Sequence, residues 1–390
     1  MLSYRKNIID DEIIKKYFET FDINTNKYLH ESKNVKKDLL EINDDDNAEA
    51  KSVVEGSGSF IYNIKVNNID CSLKIYKLKD SKMSDKKLLY ISIIKDILTK
   101  NKVKLLIENN ICPNFIYIYY SNIMLKVIND KKIIYDFESI LSDALKQNSL
   151  YIATEQCDGN LIDFFDKEHK LDVYKSLVFQ ICCMAYCLQK YIKIYHNSFF
   201  YRNILFKKIN KNIVFNYKIK NVDYYVPSRG YLFVLIDFQR SKYIYDDPPK
   251  NRDIRKFKYI YHRPIKIIIR NNNITNIKTL LNLINIKHIE KIYHTWYNEK
   301  TTNNYKFYKT TQKRWDTLFT EILHLAINEN LFDYTKFYTK YTEKIVELLK
   351  YYSDNIFKSK DDIADLLYKH FAEFINKPSD TDINIVSFKM

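Results

Sequence analysis

The stretch Tyr195-His196-Asn197-Ser198-Phe199-Phe200-Tyr201-Arg202-Asn203-Ile204-Leu205, taken with Leu235-Ile236-Asp237-Phe238 further on, decides how this chain is read. His196 and Asn203 stand seven residues apart, and a hydrophobic strand-like run ends in an aspartate followed by an aromatic. Upstream, Leu177, Ile181, Ala185, Leu188 and Ile192 recur at helical spacing behind Asp172, so residues 172–193 predict a buried helix that delivers the chain to His196. Residue 198, two after the histidine, is serine. The chemistry open to the loop turns on that residue.

The order and spacing of these residues resemble the catalytic loop and metal-binding turn of protein kinases, H-R-D-x-x-x-x-N and D-F-G. The resemblance implies ATP and Mg as cofactors, with Asn203 and Asp237 holding the metal and His196 and Ser198 belonging to the catalytic loop. Ser198 stands where a kinase has the aspartate that accepts the substrate hydroxyl's proton. A serine hydroxyl cannot act as a base near neutral pH unless another group activates it. Phe200 occupies the place of the lysine that touches the γ-phosphate, and Gln239 replaces the glycine of D-F-G.

Working outward, Glu55-Gly56-Ser57-Gly58-Ser59-Phe60-Ile61 is a glycine turn between strand-like runs, where a backbone free of side chains can approach phosphates. Gly56, Ser57 and Gly58 are the expected nucleotide contacts there. Thirteen residues past Ile61, Lys74 lies inside the alternating run Cys71–Tyr76, at the distance of the kinase V-A-I-K lysine. The helix expected over residues 84–100 contains no glutamate to pair with it, and Asp96, with a shorter reach, is the available substitute. Leu150–Glu155 followed by Gln156-Cys157-Asp158-Gly159-Asn160 resembles a kinase hinge, with Glu155 and Cys157 offering backbone groups to adenine and a helix starting near Asn160.

Asn203 and Asp237 are separated by 33 residues that include Pro227-Ser228-Arg229-Gly230 just before the strand to Asp237. That turn is similar to one in haspin, an atypical kinase family, and the whole is similar to serine/threonine kinases of large double-stranded DNA viruses. Asp253 resembles the buried aspartate of the kinase large lobe, with backbone N–H groups as its expected partners. Trp315, Leu318, Ile322 and Leu325, and later Ile345, Leu348 and Leu349, predict core faces of helices. The tail beyond Pro378 is expected to be loosely held.

Composition bounds the rest. Lys, Asn, Ile and Tyr dominate, while glycine occurs four times against roughly 27 expected from average usage. All four, Gly56, Gly58, Gly159 and Gly230, fall at turns that the resemblance requires. The net charge of +15 favours nucleic acid, acidic proteins or anionic surfaces. Six cysteines without a doubled C-x-x-C pattern read as reduced thiols. The start lacks an apolar signal core, and no apolar run approaches the roughly 20 residues that span a bilayer, so an intracellular protein with no membrane partner is expected.

These readings predict an α+β, two-lobed protein-kinase-like fold with a small β-rich N-lobe and a larger helical C-lobe. Residues 1–50 form an N-terminal extension, 51–376 the kinase-like domain (N-lobe 51–154, hinge 155–160, C-lobe 161–376), and 377–390 a C-terminal tail. The expected function is that of an ATP-binding serine/threonine kinase relative, weakly active or a pseudokinase, acting on or binding another protein. The alternative is a scaffold whose basic surface binds nucleic acid or an acidic partner.

Overall fold

The computed structural model describes residues 48–55, 59–66, 69–76, 83–121, 150–167, 169–244, 253–265, 339–379 and 383–390. The fold is mixed α+β with several sheets. Most of the N-terminal extension, the triplet Gly56-Ser57-Gly58 and the stripe through Trp315 and Leu325 lie outside the described residues. The chain divides into two compact units, one of residues 1–164, 175–254 and 360–390, the other of 165–174 and 255–359.

The first unit opens with strands β1 (Ala48–Glu55), β2 (Ser59–Val66) and β3 (Ile69–Tyr76), then helix α1 (Met83–Glu108), β4 (Ile118–Ser121) and β5 (Leu150–Glu155). The strands form one antiparallel sheet in the order β1-β2-β3-β5-β4, with Lys74 of β3 opposite Ile61 on one side and Ile152 on the other. Strand β3 alternates buried and half-buried residues through Lys74, as period-2 patterning requires of a strand with one face on a core. Tyr90, Ile93, Ile94, Ile97 and Leu98 of α1 pack with Tyr76, Ile118, Leu150 and Ile152 of the sheet. The helix runs past the expected Lys100 to Glu108, two turns longer than its composition suggested.

After β5 come a short strand β6 (Gly159–Asn160) and helices α2 (Leu161–Phe165) and α3 (Leu171–Cys187). Asn160 Oδ1 accepts from the N–H groups of Ile162 and Asp163, capping α2 where the sequence placed a helix start. A Cβ on Gly159 would come within 2.9 Å of the Phe206 ring, so this glycine is required by a close approach. Helix α3 continues as a π-helical turn over Leu188–Ile192, and Asp172 lies inside its first turn rather than ahead of it. Contrary to the expectation from composition, Leu171–Ile192 is long and apolar enough to cross a membrane, but most of it is buried within the protein. Core packing accounts for its apolarity.

The helix leads into β7 (Ile194–Tyr195), then β8 (Ile204–Lys208), β9 (Ile213–Ile219), β10 (Val222–Pro227), β11 (Tyr231–Leu235) and β12 (Lys242–Tyr243). The long detour between Asn203 and Asp237 is thus a nested pair of antiparallel ladders, β8 with β11 and β9 with β10. Its Pro-Ser-x-Gly corner is pinned by Ser228, whose hydroxyl donates to Asn210 O and accepts from Gly230 N, with Gly230 in the left-handed region at φ 87°. Helix α4 (Lys340–Tyr352), capped by Thr339, belongs to the second unit; of its predicted stripe it buries Ile345 and Leu349, while Leu348 is half-buried.

Back in the first unit, helix α5 (Ile363–His370) precedes the last strand, β13 (Asn384–Lys389). The tail is not loosely held. Strand β13 pairs in parallel with β9, and Phe388 is fully buried with its ring stacked on Tyr217 at 5.7 Å. The partner of this short apolar stretch, β9, lies some 170 residues earlier in the chain, between Asn210 and Asn221, where nothing local points to it.

Candidate functional site

Strand β3 carries Lys74, helix α1 carries Asp96, and the chain after β11 carries Asp237 and Phe238. All three meet at the Asp96 carboxylate, which is fully buried. Its Oδ2 accepts from the Tyr76 hydroxyl at 2.6 Å, from Lys100 Nζ at 3.0 Å and from Lys74 Nζ at 3.4 Å. Its Oδ1 accepts from the Phe238 N–H at 2.7 Å. Burial alone would raise the Asp96 pKa, but Lys100, Lys74 and the Tyr76 hydroxyl outweigh it and hold the carboxyl well below the usual carboxylate range. The shorter reach of aspartate is therefore no obstacle: Asp96 meets Lys74 and also fixes the backbone just after Asp237. Lys100, one helical turn beyond Asp96, and Tyr76 were not singled out from the sequence. The i, i+4 spacing of Asp96 and Lys100 was the available signal.

Asp237 adopts the left-handed conformation at φ 66°, which aspartate tolerates better than most residues other than glycine. Lys74 Nζ lies 3.9 Å from its Oδ1, within ion-pair range but beyond a hydrogen bond. That Oδ1 is buried and accepts no hydrogen bond from a described residue. Across the β8–β11 ladder, Asn203 accepts from Ile236 N–H at 2.9 Å through its backbone carbonyl, which keeps it beside Asp237. Its side-chain Nδ2 donates to Ser198 O at 2.8 Å, turning the amide oxygen the other way. A buried carboxylate oxygen with no hydrogen bond from a described residue and the oxygen of the Asn203 amide are hard donors of the kind that Mg takes. The residues present fit the metal.

The loop itself is held by its backbone. Asp253, fully buried, accepts from His196 N–H at 2.8 Å and Asn197 N–H at 3.1 Å, so it ties down the loop as expected. His196 is buried, with Nδ1 accepting from Ser198 N–H and Nε2 against Ile236 O at 2.9 Å, which fixes the tautomer as Nε2–H. Its ring meets Phe238 edge-on with centroids 4.9 Å apart. Burial lowers its pKa, against the pull of Asp253, the Ile236 carbonyl and the nearby carboxylates. His196 is thus a neutral strut. Ser198 is buried, its carbonyl accepts from Phe200 N–H and the Asn203 side chain, and its hydroxyl makes no hydrogen bond with a described residue. Among the described residues, no base is hydrogen-bonded to it.

The hinge-like segment is built on Glu155, whose carboxylate accepts from Tyr117 N–H at 2.9 Å and Lys207 Nζ at 2.7 Å. Its own N–H donates to Tyr117 O, so a nucleotide base meeting this segment would not receive that group. Cys157 is half-buried just after it. Gly56, Ser57 and Gly58 lie outside the described residues, while Glu55 of β1 and Phe60 of β2 pair directly.

No family model matches the chain. It is similar to a "probable serine/threonine-protein kinase" of Invertebrate iridescent virus 6, 25% identical over 231 residues that make up 57% of this chain and 40% of the relative. The chain thus spans less than half the length of that relative. The likeness is distant, and it supports a kinase-like relationship for this chain.

Proposed function

We propose that this protein is an ATP-binding relative of the serine/threonine kinases in which Asp237 and Asn203 hold Mg, Lys74 meets the nucleotide's phosphates, and Ser198 leaves the loop without its base. The Oδ1 of Asp237 carries the reading: it is buried and accepts no hydrogen bond from a described residue, with only the Lys74 ammonium at ion-pair distance, and a structure rarely leaves a carboxylate oxygen without a hydrogen bond unless a ligand completes it. Mg, when bound there by Asp237 and Asn203, would supply charge neutralisation for the phosphates. The chain's own residues do the rest: Asp96 holds Lys74 and the Phe238 N–H, and Asn203 links the loop to Asp237. Phosphoryl transfer depends mostly on positioning and charge neutralisation. A slow kinase or a pseudokinase is the outcome, its rate lowered by something like the 10²–10⁴ that a general base contributes. The Pro227–Gly230 corner and the long ladder before Asp237 favour the haspin-like branch of the superfamily.

The test is transfer of radiolabelled phosphate, including autophosphorylation, by the wild type, Ser198→Asp and Asp237→Ala, with ATP binding measured beside it. ATP binding that requires Mg and is lost in Asp237→Ala is expected, with transfer rising in Ser198→Asp. If the wild type binds no nucleotide, the scaffold alternative replaces this reading. Transfer in the wild type as fast as in Ser198→Asp would remove the assigned defect at residue 198.

A further inference from the structure

Arginine is scarce here: nine residues against 54 lysines. Two of the nine, Arg202 and Arg240, flank the loop of Ser198, and both are exposed. Arg202 sits in the 3₁₀ turn Tyr201–Asn203, one residue before the asparagine whose side chain grips Ser198 O. Arg240 stands three residues after Asp237, and its carbonyl accepts from Asn197 Nδ2 at 3.1 Å, so its backbone is tied to the residue preceding Ser198. Neither guanidinium forms an ion pair with a described residue. Two residues on, Lys242 adds to the cationic surroundings: burial and the charge of Lys242 both lower the pKa of Lys95.

A planar guanidinium pairs with a carboxylate through two parallel hydrogen bonds, which an ammonium cannot do. In a chain that uses lysine almost everywhere, arginine at both shoulders of one serine is a recognition feature rather than background charge.

We propose that the loop around Ser198 takes an acidic polypeptide, and that Arg202 and Arg240 select it by pairing with Asp or Glu side chains on either side of the residue presented there. The inference rests on the kinase-like reading, in which a polypeptide hydroxyl lies over residue 198. Nucleic acid is less suited, because a single strand needs a charged track with stacking platforms along its length, whereas two arginines bracket one short position. Phe200, exposed beside them, adds an apolar contact for the same segment.

The experiment measures binding of three fluorescent serine peptides of equal length, flanked by Glu, Gln or Lys, to the full chain at low salt, with a labelled single-stranded oligonucleotide as a fourth probe. Mg-dependent ATP binding is measured on the same samples. The Glu peptide should bind about tenfold more tightly than the Gln peptide, a difference that rim charges can supply. Arg202→Gln with Arg240→Gln should erase the difference, Arg202→Lys with Arg240→Lys should restore part of it, and Arg202→Glu with Arg240→Glu should turn the preference to the Lys peptide. Because both side chains are exposed, ATP binding should be unchanged in every variant. Equal binding of the Glu and Gln peptides, or a preference that survives the Gln variants, would overturn the inference while leaving ATP binding intact. Tighter binding of the oligonucleotide that the Gln variants abolish would overturn it in favour of nucleic acid. Absent ATP binding with the charge preference preserved would instead remove the nucleotide reading and keep the acidic ligand.

Discussion

Asp96 and Ser198 serve the same site and are held in opposite ways. The Asp96 carboxylate takes four hydrogen bonds, from Tyr76, Lys74, Lys100 and the Phe238 N–H, and so joins β3, α1 and the turn after Asp237. Ser198 is held by its N–H and its carbonyl, while its hydroxyl engages no described residue. One side of the site is organised through side-chain chemistry; the other retains the loop's backbone and does without a reactive side chain. The difference teaches that a loop can keep its shape through bonds to its backbone alone. His196, Asn203 and Asp253 keep the loop's shape whether or not residue 198 can act as a base.

The first way to break this comparison is to remove the carboxylate that the wired side depends on. Asp96→Ala strands Lys100, which is as buried as Asp96 itself, together with the Tyr76 hydroxyl and the Phe238 N–H. Removing one partner of a buried ion pair costs about 3–5 kcal/mol, and urea unfolding should record a loss of that size. Combining Asp96→Leu with Lys100→Met should recover most of it, since no buried charge is then left alone, without recovering ATP binding. A loss below about 1 kcal/mol in Asp96→Ala would mean that the four hydrogen bonds contribute little and that the two sides are not built differently.

Much of the second side was legible in the sequence. His196, Asn203 and Asp237 were picked out by the order and spacing in which they resemble the kinase motifs, and the structure brings Asn203 beside Asp237 through the Ile236 N–H bond to Asn203 O. Lys74 was placed by its distance from the glycine turn and meets Asp96 and Asp237. The hub was not legible in full. Tyr76 and Lys100 look like an ordinary strand aromatic and one of 54 lysines, and only the packing of α1 on the sheet turns both toward Asp96. Strand β13 was missed for a related reason: six residues carry little local signal, and their parallel partner β9 is distant in the chain.

Asn203 joins the two sides, so a change there separates them. Asn203→Asp keeps an oxygen at the position proposed to hold Mg but loses the N–H that holds Ser198 O, and it sets a carboxylate against that carbonyl. The expected cost is about 1–3 kcal/mol, that of leaving a part-buried acceptor unmade. Mg-dependent ATP binding should persist more fully than in Asp237→Ala. Titration of the variant with ATP at several Mg concentrations checks this, and equal loss in both variants would show that loop shape and metal binding cannot be separated.

The smallest effect probes the loop's strut. His196 is neutral when folded, its pKa lowered by burial from the ordinary value of 6.5 even though Asp253 and the Ile236 carbonyl pull it upward. Between 6.5 and the lower folded value, the unfolded chain binds more protons than the folded one, so stability falls as pH falls. Above the unfolded value, the neutral ring's contribution is fully present. The urea midpoint should therefore decline on acidification from pH ~7.5 through ~6.5 to ~5.5, the window that an unperturbed histidine opens. His196→Asn lowers the midpoint at every pH by removing the bonds to Ser198 N–H and Ile236 O, but it should flatten the decline, because the group that titrates is gone. His370 also has a lowered pKa and supplies part of the slope in both proteins, so the difference between the two profiles is the quantity to read. Parallel profiles would mean that the imidazole is not held neutral in the fold. The His196 ring would then be free to carry charge beside Ser198, and the emptied side of the site would regain a titratable group.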